Sequence, residues 1–184
     1  FSYGNMDSLN QTGLRRQWLT FTAVALATLC SVIDHGSISV ALPSISEHFS
    51  ANIPTTQWVV IVFSLTIVML LLPMGRLGDT KGLPKIYRLG CIILLVATII
   101  AGLSPSMRIL IGARIVQGIG AAMTQGIGMA IVVSVFPQGQ RGKAIGLIMT
   151  TVGVGAIAGP AFGGLLVDWF GWRAVFIGNV PLLS

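Results

Sequence analysis

Charged residues are scarce in this chain. Asp, Glu, Lys and Arg make up 9% of its 184 residues, whereas hydrophobic residues make up 54%. A soluble domain carries about 25% charged residues, which cover its surface. With so few charges the chain cannot build a polar shell around a core. A soluble globular or disordered protein is therefore excluded, and an integral membrane protein is indicated.

Cysteine is also scarce. The two cysteines, Cys30 and Cys91, lie inside apolar runs, which excludes a disulfide scaffold and a cysteine metal site and predicts small core residues. The sequence shows no nucleophile–base pair, metal cluster or phosphate loop, so neither an enzyme nor a cofactor is expected. The net charge of +6 lies mostly in short gaps between apolar runs, which indicates membrane topology and no nucleic-acid partner.

Long apolar runs dominate what is present. About 20 helical residues cross the hydrocarbon core of a bilayer. The runs predict an all-α membrane protein with five complete helices and the start of a sixth. Residues 1–17 are expected to form a flexible cytoplasmic tail. Residues 18–184 are expected to form a transmembrane bundle, with helices at about 18–42, 57–75, 86–103, 107–136, 143–168 and 173–184. A chain that starts at Phe1 and stops inside an apolar run is interpreted as a fragment.

Basic residues are distributed unevenly between the two sides of these helices. One side carries Arg15, Arg16, Arg76, Lys81, Lys85, Arg88, Arg141 and Lys143. The other side carries only Arg108 and Arg173, and the gap at 43–57 has no Lys or Arg. Cytoplasmic loops are enriched in Lys and Arg, so the N-terminus is predicted to be cytoplasmic. The expected location is the plasma membrane, which is the inner membrane of a Gram-negative cell.

Asp34 interrupts the first apolar run. A charged side chain at mid-membrane costs about 2.5–3.5 kcal/mol on insertion scales, so it usually faces a cavity or a partner. Ser31 and Ser37 lie three residues to either side, on nearly the same helix face. Because a carboxylate withdrawn from water takes up a proton more readily, Asp34 is a candidate proton carrier. The alternative is an Asp held in a permanent ion pair.

Arg114 is the second charge inside an apolar run. Asp34 lies nine residues before Pro43 and Arg114 nine residues after Pro105, so both lie roughly 13 Å below the same end of their helices. The matching depth makes an ion pair possible. Protonation of Asp34 would weaken such a pair and release Arg114. Gln117 follows one turn deeper and could relay a hydrogen bond.

Two further polar residues stand near this layer. His35 is adjacent to Asp34 but points about 100° away around the helix. It could titrate with Asp34 or serve as an interhelical hydrogen-bond partner. Gln125 lies on the same helix as Arg114 and could contact a substrate or only pack. Together with Ser31, Ser37 and Gln117 it is a candidate lining residue of a substrate cavity.

Glycines recur at a spacing of four in the fifth run. Gly155, Gly159 and Gly163 share one helix face, with Pro160 and Gly164 beside them. Such a face lets a neighbouring backbone approach closely, and the proline favours a kink. Simple tight packing would explain the same spacing.

A short glycine-containing stretch joins the second and third runs. Gly75, Arg76, Gly78, Asp79 and Gly82 are expected to form a cytoplasmic loop. Asp79 could cap a helix or hold an arginine. A plain turn with positive charges is the alternative.

These patterns together resemble the N-terminal half of a major facilitator superfamily transporter, from Trp18 onward. The superfamily's loop motif is similar to Gly75-x-Leu77-Gly78-Asp79-x-x-Gly82, and its helix 4 motif to Leu110-x-x-x-Arg114-x-x-Gln117-Gly118-x-Gly120-Ala121-Ala122. Its antiporter motif is similar to Gly155-x-x-x-Gly159-Pro160-x-x-Gly163-Gly164. Its helix 1 motif is similar to the segment from Asp34 to Pro43, and its helix 6 motif to Gly171-Trp172-Arg173-x-x-Phe176-x-x-Asn179-x-Pro181. The antiporter motif is associated with drug:proton exporters. The helix 1 motif resembles the fourteen-helix branch.

The chain departs from the family pattern at a few positions. Basic residues usual in the loop motif are replaced by Thr80, Leu83 and Pro84. Gly36-Ser37 and Ser39 stand in the helix 1 motif where Thr-Ile and Asn are usual, and Phe63 stands where tyrosine is common. These changes bear on the substrate and on gating rather than on the fold.

The resemblance implies alternating access by two six-helix bundles around a central site. The leading hypothesis is proton-coupled export of small amphipathic or cationic compounds. The alternative is proton-coupled movement of a defined metabolite such as an organic acid or sugar. A non-transporting scaffold would have no need for two intramembrane charges at matched depth. The expected partners are the lipid bilayer, protons, a small-molecule substrate and a missing C-terminal bundle of the same protein.

Overall fold

The structure is a computed structural model that describes the backbone of residues 3–178 and the side chains of residue 15 and residues 17–178. Within residues 3–178 six α-helices follow one another: α1 (Tyr3–His48), α2 (Ile53–Lys81), α3 (Leu83–Gly102), α4 (Met107–Val135), α5 (Arg141–Phe170) and α6 (Arg173–Ile177). A 3₁₀ turn, Gln138–Gln140, precedes α5. Within the described residues five stretches are long and apolar enough to cross a membrane: Gln17–His48, Ile53–Lys81, Leu83–Gly102, Met107–Val135 and Gln138–Phe170. The all-α membrane fold is thus confirmed.

Several helices are longer than the apolar runs that predicted them. The segment expected to be a flexible tail is helical from Tyr3, and α1 continues through Pro43 to His48. The stretch from Gly75 to Lys81, expected to be a loop, forms the last two turns of α2. The boundaries were wrong because exposed polar residues at a helix end keep their backbone hydrogen bonds without needing apolar side chains. Asn179 and Pro181, together with the rest of the sixth predicted helix, lie outside the described residues.

Tight connections separate the helices. Gly82 alone joins α2 to α3 with a φ of 98°, a conformation that residues with a Cβ rarely adopt. Asn52 begins α2 by accepting a hydrogen bond from the Thr55 amide, and Ser106 begins α4 by accepting one from the Ile109 amide. Short connections of this kind make sequential helices antiparallel neighbours. The basic residues near Gly82 and near Arg141 therefore lie at one end of the bundle, called here the basic end.

Helix α4 is the centre of the bundle. It packs extensively against α2 on one side and α3 on another, while α1 packs along α5. One apolar cluster surrounds α4 toward the basic end, and its members include Phe21, Ile86, Ile127, Ile131 and Phe136. A second cluster lies toward the opposite end and includes Ile38, Ile45, Leu110, Trp172 and Phe176. Along α1 and α4, the polar residues that form the candidate site stand between these two clusters.

Candidate functional site

Asp34 and Arg114 form a buried ion pair between α1 and α4. The Arg114 Nη1 donates to Asp34 Oδ2 over 2.9 Å. The two residues are 5% and 0% exposed, so this pair is withdrawn from solvent on both sides. The contact that matching depth made possible in the sequence is therefore present. Two opposite charges in such surroundings depend strongly on each other, because removing either leaves an uncompensated buried charge.

The rest of the Arg114 guanidinium is held by α2 and by aromatic rings. Its Nε donates to the Val59 carbonyl over 3.1 Å. Its Cζ lies 4.2 Å from the centre of the Phe63 ring and 5.8 Å from that of Phe176. Its Nη2 is buried and has no hydrogen-bond partner among the described residues. The ring faces thus supply cation–π attraction where a hydrogen bond is missing.

Gln117 joins both charges to α3. Its Oε1 accepts from Arg114 Nη1 over 2.7 Å, and its Nε2 donates to Asp34 Oδ2 over 3.3 Å and to Thr98 Oγ1 over 2.9 Å. The Thr98 hydroxyl itself donates to the Leu94 carbonyl over 2.7 Å. With its proton committed, the Thr98 oxygen can only accept, which fixes the nitrogen of the Gln117 amide toward α3.

Thr98 is a site residue that the sequence analysis missed, and Phe63 is one that it noted only as a departure from the family's usual tyrosine. Threonine and phenylalanine are common in apolar helices, so neither stands out in the sequence as a charge does. Their role follows from contacts with Gln117 and Arg114 that join α3 and α2 to α4. Thr98 has no signal of its own in the sequence, because a buried amide needs a partner but the sequence does not say on which helix that partner lies.

The four candidate cavity residues do not lie together. Ser31 and Gln125 line one cavity of about 270 Å³, and Gln125 Nε2 donates to Ser31 Oγ over 3.3 Å. Gln117 is buried in the ion-pair network instead. Ser37 faces α5, where its hydroxyl donates to the Gly159 carbonyl over 2.8 Å. Sharing a helix face with Asp34 did not place Ser31 and Ser37 in one cavity, because the two serines lie on opposite flanks of that face and meet different helices.

His35 lines the same cavity as Ser31. Its ring stacks on Phe63 with centres 5.6 Å apart and planes 28° apart. Its Nδ1 is buried without a hydrogen-bond partner in the part of the chain that the structure describes. The interhelical contact expected of His35 is therefore an aromatic stack rather than a hydrogen bond through Nδ1.

Small residues let α1 and α5 meet closely. A Cβ added at Gly159 would lie 3.1 Å from the Gly36 Cα, and one added at Gly163 would overlap the Ser37 Cα. Gly155 faces Val32, whereas Gly164 has nothing nearer than Val40 Cγ1 at 3.9 Å. The glycine face predicted on the fifth helix is thus a backbone contact with α1.

The residues of the expected gating loop lie at the basic end. Gly75, Arg76 and Asp79 line a cavity of about 430 Å³ that also reaches Gln125. Gly78 is buried where an added Cβ would lie 3.0 Å from side chains of Ile127 and Leu83. The N-terminus of α3 has no side-chain cap, so Asp79 does not cap it. Gln125 of α4 lines both this cavity and the one that contains Ser31 of α1.

This arrangement ties one ion pair to four helices. Neutralising Asp34 removes the charge that balances Arg114 and weakens an acceptor shared by Arg114 and Gln117. Since that network ties α1 to α2, α3 and α4, its loss changes the contacts of four helices at once. The aromatic rings of Phe63 and Phe176 remain as partners for the released cation.

Comparison with known proteins finds a matching family model and similar curated proteins. The model of the Major Facilitator Superfamily matches residues 24–183. The riboflavin transporter RibZ of Clostridioides difficile is 32% identical over 92% of this chain and 37% of its own length. The multidrug resistance protein Stp of Mycobacterium tuberculosis is 35% identical, over 91% of this chain and 32% of its own. The tetracenomycin C resistance and export protein of Streptomyces glaucescens is 34% identical over 93% of this chain and 32% of its own length.

A solved structure shares the fold. A bacterial homologue of the human lysosomal transporter Spinster, in an inward-facing and occupied conformation, superposes with a TM-score of 0.79 at 24% identity. The match covers 91% of this chain and 43% of that one. The chain spans about a third of the length of the curated relatives named above. By this family match and these relatives, which are transporters rather than enzymes, the chain belongs to the Major Facilitator Superfamily and represents its N-terminal half.

Proposed function

We propose that the whole protein is a proton-coupled exporter of small amphipathic or cationic compounds that works by alternating access. The buried Asp34–Arg114 pair carries this proposal. A charged pair of this kind inside a membrane bundle is expensive unless it serves a pathway or a proton relay. In the proposed cycle a proton binds Asp34 and frees Arg114 from it. Alternating access then requires a second bundle, which the C-terminal half would supply.

Several observations support export as the direction. The α1–α5 seam is built on the antiporter-type glycines, and Stp and the tetracenomycin protein are named for resistance or export. Proton-coupled transport of a defined metabolite is the second candidate, favoured by the relative RibZ, which is named as a riboflavin transporter. Both candidates use the same ion pair and differ in the ligand.

Asp34→Asn in the full-length transporter tests the proton step. Asparagine keeps the shape and much of the hydrogen bonding but does not titrate between pH 5 and 8. Reconstituted in proteoliposomes, the variant should bind substrate yet fail to accumulate it when a pH gradient is imposed. Asp34→Glu should keep part of the coupling. Asp168→Asn, an exposed carboxylate on α5, is the matched control and should behave as wild type. Gradient-driven accumulation by Asp34→Asn would contradict the proposal.

We also propose that the basic end faces the cytoplasm, with the chain in the plasma membrane. The concentration of Lys and Arg at that end supports this orientation. Thr80 lies in the last turn of α2 and Ser50 in the connection that precedes α2, so the two mark opposite sides of the bundle. Thr80→Cys and Ser50→Cys can each be made in a protein lacking Cys30 and Cys91. An impermeant thiol reagent added to intact cells should label the cysteine at 50 and not the one at 80. The reverse pattern would overturn the orientation.

A further inference from the structure

Among the described residues, two buried side-chain polar atoms lack a hydrogen-bond partner, namely Arg114 Nη2 and His35 Nδ1. The first is a donor. The second is an acceptor when the neutral imidazole carries its hydrogen on Nε2. A buried polar atom without a partner is unfavourable, so its presence in a folded protein needs an explanation. Here the two atoms are complementary, because one can donate the hydrogen bond that the other can accept.

Both atoms belong to side chains that contact Phe63. The Arg114 Cζ lies 4.2 Å from the centre of the Phe63 ring, and the centre of the His35 ring lies 5.6 Å from it. The guanidinium and the imidazole are therefore no further apart than the sum of these two distances. Phe63 itself is 2% exposed, so the two groups are connected by one buried ring and not by solvent.

We infer that His35 is a second hydrogen-bond partner of Arg114. While Asp34 is ionised, Arg114 Nη1 donates to Asp34 Oδ2 over 2.9 Å, and Nη2 has no partner among the described residues. Once a proton has bound the Asp34 carboxylate, the guanidinium turns and Nη2 donates to His35 Nδ1. The inference rests on the proposed function, in which Asp34 takes up the proton, and it names the residue that holds Arg114 afterwards.

The surroundings of Phe63 leave room for this movement. His35 and Phe63 border a cavity of about 270 Å³ between α1, α2 and α4. A turn of the Phe63 ring toward this cavity opens the space between the guanidinium and the imidazole. Arginine is a long side chain that reaches new positions by changing rotamers, so α4 itself need not move.

This role also explains why residue 35 is a histidine. A ring that only stacked on Phe63 would not need a nitrogen, because phenylalanine stacks as well and leaves no buried atom unpaired. A ring that carried the coupling proton on Nδ1 would need an acceptor or solvent there, and the structure places neither beside this atom among the described residues. An acceptor that pairs with Arg114 after protonation of Asp34 accounts for both observations.

Thermal unfolding of the purified full-length protein tests this inference without transport. His35→Phe keeps a flat ring but removes the acceptor, and Asp34→Asn imitates the uncharged carboxyl. In the wild-type background His35→Phe should leave Tm unchanged or raise it, because an unpaired buried atom is lost. In the Asp34→Asn background it should lower Tm by several degrees, because Arg114 then loses its second partner. Equal changes of Tm in the two backgrounds would contradict the inference.

A second histidine on the same helix supplies the matched control. His48 lies in α1 against Phe49 and Trp172. Because these contacts are separate from the ion pair, His48→Phe should change Tm by the same amount in the wild-type and Asp34→Asn backgrounds.

Gradient-driven flux in proteoliposomes is a second measurement, and it carries the test if the double variant does not fold. His35→Phe should lower flux by about tenfold, as expected for the loss of one hydrogen bond to a charged group. His35→Asn places an amide oxygen near the position of Nδ1, so it should recover part of the flux. Wild-type flux in His35→Phe, or flux in His35→Asn no higher than in His35→Phe, would overturn the inference.

The two measurements separate this inference from the proposed function. If His35→Phe lowers Tm only in the Asp34→Asn background, yet Asp34→Asn still accumulates substrate under a pH gradient, the role of His35 stands and proton coupling fails. If the Tm changes are equal and Asp34→Asn does not accumulate substrate, proton coupling stands and the role of His35 fails.

Discussion

Two seams in this bundle bring helix backbones into close contact by different means. Along α1 and α5, small residues come from both helices, with Gly36 against Gly159 and Gly163 against Ser37. Along α2 and α4 the glycines face larger residues, with Gly118 of α4 against the Phe63 carbonyl and Gly78 of α2 against the Ile127 side chain. Each seam also has a side chain that donates to a carbonyl across it. Ser37 donates to Gly159 in the first, and Arg114 donates to Val59 in the second.

The two seams differ because α5 has one close neighbour whereas α4 has several. Helix α5 presents one face to α1, so its glycines repeat every four residues. Helix α4 is surrounded, and its glycines are distributed among its neighbours. Gly118 faces α2, Gly120 faces Leu94 of α3, and Gly128 faces Val24 of α1. A regular spacing thus indicates a helix with one close neighbour, whereas scattered glycines indicate a central helix.

The α1–α5 seam should be the most sensitive to added volume. In Gly163→Ala the new Cβ would overlap the Ser37 backbone, so the helices must separate. We expect a loss of about 1–3 kcal/mol, or roughly 2–10 °C in Tm for the full-length protein. Thermal unfolding in detergent measures it. Gly153→Ala is the control on the same helix, where an added Cβ meets nothing within 4 Å. Equal Tm values for the two variants would show that the seam is not tight.

The α2–α4 seam should respond in function more than in stability. In Gly118→Ala the new Cβ would lie 2.8 Å from the Thr66 Cβ and 3.0 Å from the Phe63 carbonyl. Shifting Phe63 displaces the ring under Arg114, so gradient-driven flux should fall by about tenfold while Tm falls by only a few degrees. Flux in proteoliposomes tests this. Gly112→Ala, whose Cβ would meet nothing within 4 Å, should leave flux unchanged. A normal flux in Gly118→Ala would show that the packing of this seam does not affect the ion pair.

Thr98→Val probes the α3 contact of the same network. Valine keeps the volume but removes the acceptor for Gln117 Nε2, which frees the amide to turn away from Asp34. We expect a stability loss of about 1 kcal/mol and a changed pH dependence of flux, since Asp34 would lose an oriented donor. Thr98→Ser should restore the wild-type pH profile. A pH profile in Thr98→Val identical to wild type would mean that Thr98 only packs.

The end opposite the basic end should be the least sensitive. Arg173 lies 4.6 Å over Trp172, donates to the Ser104 carbonyl at 3.4 Å and approaches His48 Nε2 at 3.4 Å. These contacts join three inter-helix connections but are partly exposed. Arg173→Ala should lower Tm by only a few degrees, from a loss of about 1 kcal/mol or less. Arg173→Lys should recover part of it. A drop as large as that of Gly163→Ala would show that this end holds the bundle together.

Sequence alone determined the features that depend on one helix at a time. The scarcity of charge determined the membrane class, and the apolar runs determined that five stretches are long enough to cross a membrane. The spacing of four determined that Gly155, Gly159 and Gly163 share a face. The positions of Asp34 and Arg114 gave their common depth, because rise per residue is constant.

Tertiary structure alone decided which neighbour each face meets. A helix that is apolar all round has little in its sequence to indicate its rotation within a bundle. For this reason Ser37 faces α5 while Ser31 lines the cavity, although both flank Asp34. For the same reason only the structure shows that Thr98 contacts Gln117 and that Phe63 contacts Arg114. Depth follows from counting residues along a helix, whereas rotation is set by packing against every other helix at once.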